Sequence, residues 1–193
     1  TGVSKLTPIQ KTNDETKDRY SSRSQVASTT PDGLNPARKF KAAGTTTGPV
    51  ANKLQFERVQ AMLQKGIDED AKVVIGGPGR PAGIERGYFV KPTIFSHVHN
   101  DMTIAREEIF GPAMVMIPYA DEEEAIRIAN DSVYGLSGHI HSSSIEHARR
   151  VAARIRTGMI HLNGTARDPF APFGGYKQSG NGREWGREGF REF

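Results

Sequence analysis

At 193 residues, 36% hydrophobic and with a mean hydropathy of −0.55, the chain is long enough for one ordinary domain and short of two large ones. No run approaches the roughly 18 apolar residues of a membrane helix. No apolar stretch follows a basic start as in a signal peptide, and the absence of cysteine excludes disulfides and thiolate zinc sites. The pI near 9.4 suggests a nucleic-acid binder until the charge is located: residues 1–44 hold eight Lys and Arg against four Asp and Glu, and the rest hold eighteen of each. A neutral body argues against both nucleic acid and membrane surface as partners, with the cytoplasm as the default compartment.

Residues 1–44 form an atypical polar lead-in. It contains fourteen Ser, Thr and Pro and only seven large apolar residues. Too little apolar surface is present to offset ordering entropy, so this is a loosely ordered extension, or else letters foreign to the body of the chain. The body, 45–193, is regular. Phe56, Val59, Met62, Leu63 and Ile67 recur at helical spacing, predicting an amphipathic helix from about Asn52 to Asp70. Lys72 to Ile75 reads as a short strand before the Gly76-Gly77-Pro78-Gly79 turn. Tyr88 to Phe95 is extended but interrupted by Pro92, which favours an edge or irregular strand. Ala113 to Pro118 is nearly all apolar, as a strand covered on both faces would be.

Asp121 is placed to cap a helix whose first turn holds Glu122, Glu123 and Glu124. A strand comes next, around Gly138 to His141. Ser144 caps a further helix, with Ile145, Ala148, Val151, Ala152 and Ile155 on one face, and Met159 to Leu162 is another strand. Alternating strands and helices predict an α/β fold: a mostly parallel sheet with crossover helices.

Three stretches carry chemistry. The first is Glu107-Glu108-Ile109-Phe110-Gly111-Pro112, after Asn100-Asp101-Met102. The second is Asn130-Asp131-Ser132-Val133-Tyr134-Gly135-Leu136. The third is Pro172-Phe173-Gly174-Gly175-Tyr176-Lys177-Gln178-Ser179-Gly180, after His161-Leu162-Asn163-Gly164. A carboxylate beside a sheet end can accept both hydroxyls of a ribose, and an aromatic two residues on can wall a flat ring. Left to itself, Glu108 reads first as a solvated helix end, and Phe110 could simply be core.

In order and spacing these stretches resemble the C-terminal half of the aldehyde dehydrogenase family. Milder matches run back through Phe56-Glu57-Arg58-Val59 to Gly48-Pro49, so the resemblance covers about Gly44 to Phe193. It implies NAD or NADP as cofactor. Glu108 would hold the nicotinamide ribose, Phe110 would contact the nicotinamide, and Gln55 and Arg58 would approach from the other side. Phe173 would line the aldehyde tunnel, with Asn163 just before the loop that shapes it. An aldehyde substrate, a homo-oligomer and a separate dinucleotide-binding domain are the implied partners.

Other patterns carry less. Gly180-Asn181-Gly182-Arg183-Glu184-Trp185-Gly186 is one residue too long for a dinucleotide loop, and the prolines in Gly76 to Gly83 remove amides that a phosphate cradle needs. His97/His99 and His139/His141 lack acidic partners for a metal site. In the family a cysteine attacks the aldehyde to form a thioester, and a glutamate from an earlier segment acts as base. This chain has no cysteine. Only Ser4 stands near the expected place, and a serine without a dedicated base is a poor substitute. Nor does the base-bearing segment fall within these residues, and the family's C-terminal strand is expected beyond Phe193. Hence no catalytic residue is assigned. The leading expectation is part of an aldehyde-oxidising enzyme, inactive by itself. The alternative is a non-catalytic oligomerisation or nucleotide-ligand-binding module that keeps the fold.

Overall fold

Asn52 begins the regular structure because its side chain accepts the Gln55 amide at 2.9 Å, satisfying a donor that the first helical turn leaves open. The computed structural model describes residues 47–191. The polar lead-in, Ser4 and Phe193 lie outside them. Two units divide the described residues, the first ending at Ile117 and the second beginning at Pro118.

In the first unit, helix α1 (Lys53–Asp68) buries Val59, Leu63 and Gly66. Strand β1 (Lys72–Ile75) pairs antiparallel with β2 (Thr93–Ser96), which pairs parallel with β3 (Ala113–Val115). Val59, Leu63, Phe95, Val98 and Ile104 are fully buried in one core, to which α1 and the sheet both contribute. Pairing in the Tyr88–Phe95 run begins only at Thr93, so Pro92 lies before the ladder and removes no hydrogen bond from it. That is why β2 can occupy the centre of the sheet, where an edge or irregular position was expected. β3 is shorter than its apolar run suggests. It lies at an edge, and only Val115 is buried.

The short helix α2 (Thr103–Arg106) is capped from a distance. The Glu69 carboxylate accepts the Thr103 amide at 2.7 Å and the Thr103 hydroxyl at 2.6 Å. The hydroxyl bond first, then the amide and Lys65, holds the carboxyl below its ordinary 4.5 against the opposing effect of burial. Stability from this cap is therefore complete above about pH 4.5 and is lost as pH falls through the lowered value. Glu69→Gln should show a shallower acid-induced loss than the parent in urea titrations across that window. Equal acid sensitivity in both would contradict the cap's role.

In the second unit, α3 (Glu122–Asn130) is capped by Asp121, whose side chain accepts the Glu124 amide at 2.9 Å. β4 (Ser137–Ile140) pairs parallel with β5 (Met159–Leu162), and α4 (Ile145–Ala152), capped by Ser144, makes the crossover between them. Glu123 pairs with Arg154 and Glu122 with His147, so the acidic first turn of α3 meets the α4 segment. Only Ala148 of the predicted α4 face is fully buried; Ile145 remains exposed. A small antiparallel pair comes after β5, β6 (Phe173–Gly174) with β7 (Arg183–Glu184), flanking a 3-10 turn at Lys177–Ser179 and leading into α5 (Gly186–Phe190). No periodicity marks this last part. The α/β class and both predicted caps stand, with parallel pairs at β2–β3 and β4–β5. No helix among the described residues is long and apolar enough to cross a membrane.

Candidate functional site

Two loops hold the predicted residues, one in each unit. In the first, the Glu107–Pro112 segment leaves α2 and enters β3. Gly111 has no room for a side chain: a Cβ there would lie 2.7 Å from Val59 Cγ2, so the loop is pressed onto α1. Phe110 takes a left-handed backbone, φ 55°, which non-glycine residues seldom adopt and which recurs where structure is committed to function. The Gln55 amide donates to the Phe110 carbonyl at 2.7 Å and so latches that conformation to α1. The ring is 56% exposed. Glu108, two residues earlier, is half-buried, and its carboxylate meets no donor among the described residues. Arg58, one turn along from Gln55, is exposed and likewise unpaired.

Glu108 and Phe110 thus share one loop, and Gln55 holds that loop from α1. The carboxylate and the ring are presented outward, whereas Gln55 acts through the backbone it holds. Arg58 touches nothing in the loop.

In the second unit the two remaining motifs interlock. The Gly135 carbonyl accepts the amides of Gly158 and Tyr176, each at 3.0 Å, and the Gly135 amide donates to Ser179 Oγ at 3.0 Å. Lys177 donates through Nζ to the carbonyls of Asn130 (2.9 Å) and Ser132 (2.8 Å). Burial first, then Arg156, pushes its ammonium below the usual lysine range, while Asp131 opposes this. Asn130 reaches the other way, donating to Arg154 O and accepting from the Arg156 amide. Much of the Asn-Asp-Ser-Val-Tyr-Gly and Phe-Gly-Gly-Tyr-Lys-Gln-Ser-Gly sequence is therefore a structural knot that sets where Phe173 stands.

Phe173 is half-buried. Its ring lies 5.4 Å from that of Trp185, tilted at 45°, and the Arg167 guanidinium sits 5.4 Å from its centroid. Asn163, at φ 50°, accepts the Ser142 amide at 2.8 Å and donates its own amide to Ile140, tying the ends of β4 and β5 together. It shapes the strand ends instead of presenting its oxygen outward. Trp185 and Arg167 were not singled out from the sequence. Trp185 is the chain's single tryptophan, in the glycine-rich stretch set aside as a false dinucleotide loop, and that rarity was the available signal. Nothing in the letters marked Arg167.

His139 stacks on His161 across β4–β5 with centroids 4.8 Å apart, and burial, then His161 and His141, lowers its pKa. Among the described residues no three His, Asp or Glu side chains gather as metal ligands.

These features define an α/β protein whose carboxylate, aromatic and glycine-rich motifs lie on loops next to its strands. The chain belongs to the aldehyde dehydrogenase family, whose sequence model matches residues 24–193 and so begins inside the polar lead-in. It is 61% identical over 149 residues to a 3-succinoylsemialdehyde-pyridine dehydrogenase from a Pseudomonas species, covering 77% of this chain and 31% of that protein. Among solved structures, a cysteine-to-alanine mutant of aldehyde dehydrogenase C from Pseudomonas syringae, complexed with NAD+ and octanal, matches with a TM-score of 0.78. Its identity is 55%, over 79% of this chain and 32% of that one. An aldehyde dehydrogenase from Mycobacterium tuberculosis complexed with NAD+ matches with a TM-score of 0.73 at 50% identity, over 75% and 30% of the two chains. The chain spans about a third of the length of these relatives.

Proposed function

We propose that the chain forms part of an oxidoreductase that converts an aldehyde to a carboxylic acid with NAD or NADP through a thioester. Its contribution is the nicotinamide-ribose wall from the Glu108 loop and an aldehyde wall from the Phe173 segment. The observation that carries this reading is the Glu108–Phe110 loop: a half-buried carboxylate that meets no donor among the described residues, two residues before an exposed ring in a left-handed backbone latched by Gln55. A carboxylate with no internal donor suits a diol, and an exposed ring on a fixed backbone suits a flat heterocycle. When bound, the nicotinamide supplies the hydride acceptor. Glu108 orients the ribose, Phe110 covers one side of the ring site, and Gln55 keeps both in place. Arg58 supplies an unpaired positive charge on the adjoining helix face for the cofactor's anionic part. Phe173 walls the aldehyde, with Asn163 setting the strand ends beside its loop.

Saturation-transfer NMR with nicotinamide ribonucleotide tests the first wall in the chain itself. Transfer to the ribose protons is expected, with roughly tenfold weaker binding in Glu108→Gln, the size of one lost charge-assisted bond. Unchanged transfer in that variant would remove Glu108 from the site.

With no thiol among its 193 residues, the chain by itself forms no thioester. Mixed with NAD+ and an aldehyde it should give no NADH above the buffer rate. Sustained NADH formation would refute the thiol route. The same lack of cysteine favours a second reading, a non-catalytic module that binds a nucleotide-like ligand or a second copy of itself. Ligand binding with no turnover, even when the chain is combined with thiol-bearing remaining parts of such an enzyme, would favour it. A cytoplasmic homo-oligomer is the setting proposed for the first reading.

A further inference from the structure

Arg167 has a defined place beside Phe173. Its guanidinium lies 5.4 Å from the Phe173 centroid, yet none of its N–H donors meets a carbonyl or carboxylate among the described residues. The neighbouring Asp168 does not serve it; that carboxylate accepts the Phe170 amide at 2.9 Å. A guanidinium laid on a ring spends its face on the aromatic and keeps its edge for a planar, bidentate acceptor. Phe173, on which it lies, packs in turn against Trp185, and Phe170 is 87% exposed, so an apolar stem has aromatic surfaces to lie on beside the charge. Arg183, another cation of this part of the unit, is already committed: it donates to the carbonyls of Gly175, Asn181 and Gly182 and lies over Tyr176.

From this we infer that the Phe173 wall selects aldehydes whose far end carries a carboxylate, with Arg167 as the specificity-determining residue. The inference rests on the proposed role of Phe173 as an aldehyde wall. The carboxylate engages the edge of Arg167, and the chain between carboxylate and aldehyde packs on Phe173 and Trp185.

Trp185 reports the outcome directly, because it is the only tryptophan and touches Phe173, so no turnover is needed. Its emission is followed in the full chain while succinate semialdehyde or its neutral methyl ester is added. The acid is expected to half-saturate the change at least about tenfold lower than the ester. Arg167→Met should erase that difference, and Arg167→Lys, which keeps the charge without the planar fork, should restore part of it. The exposed position of Arg167 makes these variants safe for folding, and an unchanged emission maximum without ligand verifies this. Equal half-saturation for acid and ester, or a preference that survives in Arg167→Met, overturns the charge selection while leaving the aromatic wall standing. If neither compound perturbs Trp185, the wall itself is wrong and the inference falls with it.

Discussion

Gly158→Ala should destabilise the second unit by about 3 kcal/mol, the upper part of the usual range for overpacking. A Cβ at Gly158 would stand 1.8 Å from the Gly174 carbonyl oxygen, 2.7 Å from its carbon and 2.9 Å from Gly175 Cα. All three are backbone atoms, so no side chain can swing aside. Relief requires moving the start of β5 away from β6, which also strains the Gly158–Gly135 hydrogen bond. Gly182→Ala is the control, since a Cβ there meets nothing within 4 Å and its φ is not in the left-handed range. It should change stability by less than about 0.5 kcal/mol. Urea unfolding of both variants reads the difference, and a loss below about 1 kcal/mol in Gly158→Ala would mean that this close approach does not exist in solution.

Lys177→Met should cost about 2 kcal/mol. The substitution keeps the unbranched stem and removes only the ammonium, leaving the carbonyls of Asn130 and Ser132 without their donor. A hydrogen bond to a charged group contributes about 1.5–3 kcal/mol, and two are lost. The full sum is not expected, because burial and Arg156 already penalise the charged form, as the lowered pKa records, and methionine escapes that penalty. Lys177→Arg is the useful companion. It keeps charge but not the compact three-donor geometry, so it should recover little of the loss. If Lys177→Met matched the parent, the ammonium would be an ornament on a turn held by Ser179 and the Gly135 backbone. Both variants bear on the proposed aldehyde wall, because the same knot carries the segment that holds Phe173.

Two caps were legible from single residues. Asp121 and Ser144 each accept an amide three positions on, as Asn52 also does in the structure, a local interaction that depends on nothing distant. Helical spacing in α1 located Val59 and Leu63, which are fully buried, and the β5 limits match the Met159–Leu162 run. Where expectation and fold part, the cause is non-local. Pro92 argued for an edge strand, but the ladder begins one residue later and another strand arrives on each side of β2. The apolar run of β3 suggested two covered faces, yet cover depends on which neighbours arrive.

The site divides in the same way. Residue types and order marked Glu108 and Phe110, and the family resemblance marked Phe173, from patterns written in consecutive letters. How these residues are held is not. Gln55 latches Phe110 across 55 positions, Lys177 reaches Asn130 across 47, and Trp185 and Arg167 meet Phe173 only after the chain has turned back. The sequence by itself determined the α/β class, the caps and the chemical types at the loops, since periodicity and capping are satisfied within a few residues. Tertiary structure alone decided which groups are latched and which are left unpaired. Those properties depend on donors and acceptors brought together by folding, and their spacing in the chain leaves no local pattern to read.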